Sequence, residues 1–160
     1  MEISIRKIQK SDNKLLANII RSCFDDFKVP TQGTVYEDPT TDNLFELFLE
    51  PNSALFVVEV DGELCGCCGI FPTLGLPEKC GELVKFYIDK DFRGKGLGKK
   101  LMEQSIEFAK KLGYESIYIE SLPEFSTAVS IYEKQGFSYL EKPLGNSGHN
   151  GCNLWMIKHL

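Results

Sequence analysis

One stretch, Gly81 to Gly113, limits the folds open to this chain more than any other: GELVKFYIDKDFRGKGLGKKLMEQSIEFAKKLG. Its first part, Glu82 to Ile88, is rich in β-formers, which predicts a strand. Its last part places Leu97, Leu101, Met102, Phe108, Ala109 and Leu112 on one broad stripe of a helix, and Gly113 stands where a terminating glycine belongs. Between them lies Arg93-Gly94-Lys95-Gly96-Leu97-Gly98. Glycine has no Cβ, so backbone N–H groups there can approach a ligand closely. The first N–H groups of a helix are unpaired and its dipole favours negative charge. A strand, a glycine turn and a helix N-terminus therefore suit a phosphate or a pyrophosphate.

Two familiar phosphate loops fit poorly. A dinucleotide fingerprint needs G-x-G-x-x-G, but here the third glycine comes one residue early and Lys99 takes its place. Glu120, at the end of the next strand, can imitate the ribose-binding acid of that motif. A P-loop needs G-x-x-x-x-G-K-[ST], but Lys100 follows Gly98-Lys99 and Arg93 holds the first glycine position. The plain alternative is a helix cap with extra glycines.

Arg93-Gly94-Lys95-Gly96-Leu97-Gly98 resembles the R-G-x-G-[IL]-G pyrophosphate loop of the GNAT superfamily, the acetyl-CoA-dependent N-acetyltransferases. Glu82-Leu83-Val84-Lys85-Phe86-Tyr87-Ile88 resembles the family's E-L-x-x-[LMF]-Y-[VI] strand, and Ile131-Tyr132-Glu133-Lys134-Gln135-Gly136-Phe137 its L-Y-x-K-x-G-F segment. The three motifs follow the family's order and spacing. The resemblance covers nearly the whole chain, best from residue 80 to 140.

Composition agrees with a soluble globular protein: 160 residues, 42% hydrophobic and 26% charged. That length suits one domain with a real core, expected to span residues 1–160 as a single N-acetyltransferase domain. The N-terminus alternates like a strand and no apolar run reaches membrane-spanning length, so a cytoplasmic protein with no membrane partner is expected. Eighteen basic against 23 acidic residues give a net charge of −5, which argues against nucleic acid. The local exception is the helix start, with Arg93, Lys95, Lys99 and Lys100. Oligomeric state is left open, a homodimer included.

In chain order, residues 3–8 read as a strand, and Ser11 or Asp12 can cap a helix with Leu15, Leu16, Ile19, Ile20 and Cys23 on its apolar stripe, ending near Phe24. Residues 25–43 are irregular and acidic, followed by a short helix in which Leu44, Phe45, Leu47, Phe48 and Leu49 are mostly buried. Ala54–Val60 and Glu63–Phe71 form a hairpin across Asp61-Gly62. A strand over Ser116–Glu120, a helix beginning at Ser121 or a few residues later and stopped by Gly136, and strands over Phe137–Leu140 and Asn153–His159 complete the chain. The fold class is α/β (α+β): a GNAT-like mixed, mostly antiparallel sheet of six to seven strands with helices on both faces.

Six cysteines, at 23, 65, 67, 68, 80 and 152, form no zinc spacing and read as reduced core residues; in an unbroken strand Cys65 and Cys67 would share one face and Cys68 the other. No metal is expected, although Cys152 and His149 leave a metal site open.

The resemblance implies transfer of an acetyl group from acetyl-CoA, as acyl-donor cosubstrate, to a primary amine, small or peptidic, attacking directly in a ternary complex. The backbone and cations of Arg93, Gly94, Lys95, Gly96, Leu97, Gly98 and Lys99 would hold the pyrophosphate. Phe86, Tyr87 and Ile88 would line the pantetheine arm where their strand splays from residues 116–120, and a bulge there would free an N–H for the oxyanion. Alkylammonium groups hold their proton to about pH 10, so a base or a water chain is required. Glu82 matches a common family base, and Tyr132 the tyrosine that serves the leaving thiolate. The plain readings are a strand-end carboxylate in water and an aromatic packed on a helix face. The family's cofactor-contacting asparagine, seven residues before that tyrosine, is here Phe125. Tyr36, Glu37 and Asp38 are candidates for an acceptor wall suited to a cationic amine, and His149 for a second base. A catalytically silent acyl-CoA-binding or regulatory domain is the alternative function.

Overall fold

A computed structural model of the chain describes residues 1–148 and 150–160. Among these, seven strands form one sheet in the order β1-β2-β3-β4-β5-β7-β6. They are β1 (Ile3–Lys7), β2 (Ala54–Val60), β3 (Glu63–Phe71), β4 (Cys80–Ile88), β5 (Ser116–Ser121), β6 (Ser138–Leu140) and β7 (Leu154–His159). The helices are α1 (Asn13–Asp26), α2 (Leu44–Leu47), α3 (Leu97–Lys111) and α4 (Ser126–Lys134). Every strand pairing is antiparallel except β4 with β5. This is the mixed, mostly antiparallel sheet expected from the sequence.

Two apolar layers hold helices to opposite faces. On one, α3 sets Leu97, Leu101, Met102, Ile106 and Ala109 against Phe56, Val58, Ile70, Leu83, Ile117 and Ile119. On the other, α1 sets Leu16, Ile20 and Phe24 against Leu55 and Val57, with Leu44 of α2 beside them. Each fully buried Leu, Ile or Phe contributes about 1.5–3 kcal/mol relative to exposure. Leu15 is exposed instead, because the i, i+3, i+4 stripe of α1 runs through Leu16, Ile19, Ile20 and Cys23. Leu49 is also exposed, since α2 is a single turn that ends before it.

The β2–β3 turn takes left-handed φ at Asp61 (51°) and Gly62 (85°), as a two-residue hairpin requires. Along β3 the alternation breaks. Val58 pairs with Gly66 and Glu59 with Leu64, leaving Cys65 as the extra residue of a bulge. Cys65 and Cys68 therefore enter the α3 layer and Cys67 the α1 layer, which corrects the pairing of Cys65 with Cys67 expected from unbroken alternation.

Candidate active site

The glycine turn is where the sequence put it. Gly94 (φ 76°) and Gly96 (φ 79°) both adopt the left-handed conformation, and Gly96 caps α3. The amides of Leu97, Gly98 and Lys99 open the helix and have no partner within it. A Cβ on Gly98 would meet Phe86 Cζ at 3.0 Å and Ile131 Cδ1 at 3.2 Å, so this glycine lets the helix start sit tight between β4 and α4. In front of it lies a groove of about 450 Å³. Phe86, Tyr87, Ile88, Arg93, Gly94, Gly96, Leu97, Gly98 and Lys99 line it on one side and Phe125, Thr127, Ala128, Ile131, Lys134 and Gln135 of the α4 region on the other. Its shape and bare amides fit a long anionic ligand with a slender arm.

Two of the loop's cations are otherwise engaged. Arg93 donates from Nε to Ile88 O at 2.9 Å and from Nη2 to Asp26 at 3.2 Å, while its guanidinium lies 4.6 Å from the Phe27 ring centre. It clasps the end of β4 to the end of α1. Lys95 is exposed, with Nζ 5.6 Å from the Phe92 ring centre.

The sheet divides beside this groove. Strands β4 and β5 pair at Cys80–Ser116, Gly81–Ile117 and Glu82–Tyr118, and no further. On the other edge of β4, Val84 pairs with Gly69 and Tyr87 with Cys67, so Lys85 and Phe86 together oppose Cys68. This is the bulge the sequence reading anticipated, and Lys85 takes φ 55° to make it. The separation of β4 from β5 opens a cavity of about 60 Å³ whose lining includes Glu82, Lys85, Phe86, Glu120, Tyr132 and Cys152.

Glu82 is buried at 4% exposure and accepts a hydrogen bond from Thr73 Oγ1 at 2.5 Å. Burial pushes its carboxyl up to about 7; the Thr73 bond pulls it down and the charge of Glu120 adds to the rise. Glu120 accepts from the Tyr118 hydroxyl at 2.7 Å and from the Ser147 hydroxyl. Tyr132 is buried between Phe86 and Phe137, ring centres 5.9 and 6.1 Å away. Burial raises its phenol above the ordinary value, and among the described residues its hydroxyl makes no hydrogen bond. The arrangement can hold a proton acceptor near neutrality and a phenolic donor at one small cavity.

The remaining candidates fall at its margin. Thr34 and Val35 line the cavity, whereas Tyr36 packs edge-on against Phe24 at 5.6 Å and lies under Arg21. Glu37 is exposed. Asp38 caps the single turn Pro39–Asp42, accepting from Thr40 N at 2.9 Å. Asp26 and Asp42 of the acidic segment are held in ion pairs, at 3.2 Å to Arg93 and 2.6 Å to Arg21. His149 lies outside the described residues. All six cysteines are free thiols. Among the described residues no group of three or more His, Cys, Asp or Glu side chains could hold a metal ion, and no helix is long and apolar enough to cross a membrane.

Sequence reasoning missed Lys85 and Glu120 as cavity residues. A lysine in the middle of the central strand, among Leu83, Val84, Phe86 and Tyr87, was the available signal for the first. Glu120 was weighed only as a ribose ligand; its approach to Glu82 follows from the parallel β4–β5 register. Phe125 stands where a cofactor-contacting asparagine was expected, and it walls the groove beside Tyr87, 6.0 Å between ring centres.

Residues 16–137 match the model of the Acetyltransferase (GNAT) family. The chain belongs to that family, and is a GNAT-type N-acetyltransferase. It is similar to the uncharacterised N-acetyltransferase YjgM of Escherichia coli (strain K12), 33% identical over 157 residues, covering 98% of this chain and 94% of that one. A GNAT-family acetyltransferase of Staphylococcus aureus Mu50 shares the fold with a TM-score of 0.87 at 21% identity, covering 99% of both chains. The PaiA N-acetyltransferase of Thermoplasma acidophilum, solved in complex with coenzyme A, shares it with a TM-score of 0.80 at 18% identity, covering 100% of both.

Proposed function

We propose that this protein transfers an acetyl group from acetyl-CoA to a primary amine by direct attack while both substrates are bound. The observation that carries this reading is the adjacency of two spaces. The groove before the glycine turn and the cavity holding Glu82 and Tyr132 have Phe86, Tyr87, Phe125 and Ala128 as common walls, beside the point where β4 leaves β5.

The amides of Leu97, Gly98 and Lys99 bind the diphosphate, helped by the positive end of α3. Phe86 to Ile88 guide the pantetheine arm along the open edge of β4 toward the bulge. Glu82, poised near 7, takes the proton from the acceptor ammonium. The freed amine forms the new C–N bond with the acetyl carbon as the C–S bond breaks. Tyr132, the weaker acid and raised further by burial, keeps its proton and hydrogen-bonds to the departing thiolate, whose thiol has a pKa of about 8.5. The apolar walls around the reacting centre exclude water and strengthen each of these interactions.

The test is a thermal-shift and turnover pair. Acetyl-CoA should raise the melting temperature while NADH leaves it unchanged, and an amine panel should release free CoA. Stabilisation by acetyl-CoA without release from any amine would favour the silent acyl-CoA-binding domain; stabilisation by NADH would favour the dinucleotide loop.

A further inference from the structure

We propose that the acceptor is an amino carboxylate, an amino acid or a similarly compact zwitterion, and that Lys85 holds its carboxylate while Glu82 and Glu120 receive its ammonium. This deepens the acetyl-transfer reading and rests on it.

The cavity between β4 and β5 contains charges of both signs, and they are not equally served. Glu82 already accepts from Thr73, and Glu120 from Tyr118 and Ser147. Lys85 is 6% exposed, yet its ammonium has neither a hydrogen bond nor an ion pair among the described residues. Most of the side chain is buried while its tip stays accessible, and burial drives the ammonium's pKa down, against the pull of Asp38 and Glu82. The backbone also carries a cost for presenting it. Lys85 sits at φ 55° in the bulge, a conformation disfavoured by about 1–2 kcal/mol for a residue with a Cβ. A cation presented by a left-handed bulge, its tip open to a cavity, is a site for oxygen atoms that the protein does not supply.

The acceptor supplies them. A carboxylate would pair with the Lys85 donors and favour its charged form, and the adjoining ammonium would meet the two acids. The cavity, about 60 Å³, has room for a few water molecules and thus for the compact head of such a ligand. A polyamine fits less well, because its second ammonium would be carried toward Lys85. Of the acidic 25–42 segment, Asp26 and Asp42 are spent on Arg93 and Arg21, and Asp38 acts on Lys85 itself.

The experiment compares matched pairs: each protein amino acid against its decarboxylated amine, with spermidine as a polycation, following CoA release by wild type and Lys85→Met. Hydrogen bonds to charged groups predict a preference of roughly tenfold or more in kcat/KM for the amino acid member of the best pair. Lys85→Met should remove that preference, chiefly through KM for the amino acid. Equal rates within every pair, or preference for the decarboxylated amine or spermidine, would overturn the proposal alone. So would equal loss on both members in Lys85→Met, which would make Lys85 structural. If no amine releases CoA, acetyl transfer itself fails. Calorimetry of the amino acid panel on the CoA-saturated protein then decides the subsite: binding lost in Lys85→Met upholds it, and no binding to wild type overturns it.

Discussion

Glu82 and Tyr118 are the last paired residues of β4 and β5. Beyond them the two strands part, and the side chains at the fork are linked through their neighbours. Tyr118 donates its hydroxyl to Glu120, and the charge of Glu120 helps raise Glu82. The end of a strand pairing thus opens the cavity beside β4 and brings Glu120 near Glu82, where its charge adds to the larger effect of burial.

Glu82 should control the pH dependence of turnover. With its carboxyl near 7, kcat/KM should rise with pH through that value to a plateau. In Glu82→Gln that inflection should vanish and the plateau fall by roughly 10²–10⁴. An inflection near neutrality that survives the substitution would remove Glu82 as the base.

The same shift has a consequence for stability. The folded form holds the Glu82 proton more tightly than the unfolded form, whose ordinary value is 4.5. The resulting stabilisation is present below pH 4.5 and is lost as pH rises through about 7. Glu82→Gln should therefore gain stability relative to wild type between pH 5 and 8, by roughly 1–3 kcal/mol in urea titrations. A gain that shrinks with rising pH would contradict the raised value.

Tyr132→Phe keeps the ring contacts with Phe86 and Phe137 and deletes only the hydroxyl. It should lower kcat by about 10²-fold or more while the Kd for acetyl-CoA stays within about twofold. The reverse pattern would assign the hydroxyl to binding.

Arg93 separates a clasp from a phosphate ligand. As a clasp joining Ile88, Asp26 and Phe27, its replacement by Ala should cost about 1–3 kcal/mol of stability. Arg93→Lys should recover little, since an ammonium cannot bridge two acceptors while stacking on a ring. Weakened CoA binding with an unchanged melting temperature would instead make Arg93 a phosphate ligand.

The parts of this site that were legible in the sequence are those whose chemistry is local. The left-handed turn at Gly94 and Gly96 and the start of α3 at Leu97 follow from glycine and from apolar spacing, and the hairpin at Asp61-Gly62 follows from turn chemistry. The bulges were harder. Alternation predicts which side chains share a face only while the ladder is regular, and the extra residue at Cys65 put Cys65 and Cys68 together. The Lys85–Phe86 bulge likewise gave Lys85 a place in the cavity, for which a lysine inside the central strand was the one local sign. The approach of Glu120 to Glu82 needs the register between strands far apart in sequence. The acidic character of residues 25–43 was visible, but not that Arg21 and Arg93 take up two of its carboxylates.

The most direct measurement is a crystal structure of this protein grown with coenzyme A. The account predicts the diphosphate within hydrogen-bond distance of the amides between Gly94 and Lys99, with the thiol arm passing Phe86 toward Tyr132. A diphosphate bound elsewhere, or a glycine turn filled by a side chain of the protein itself, would contradict it.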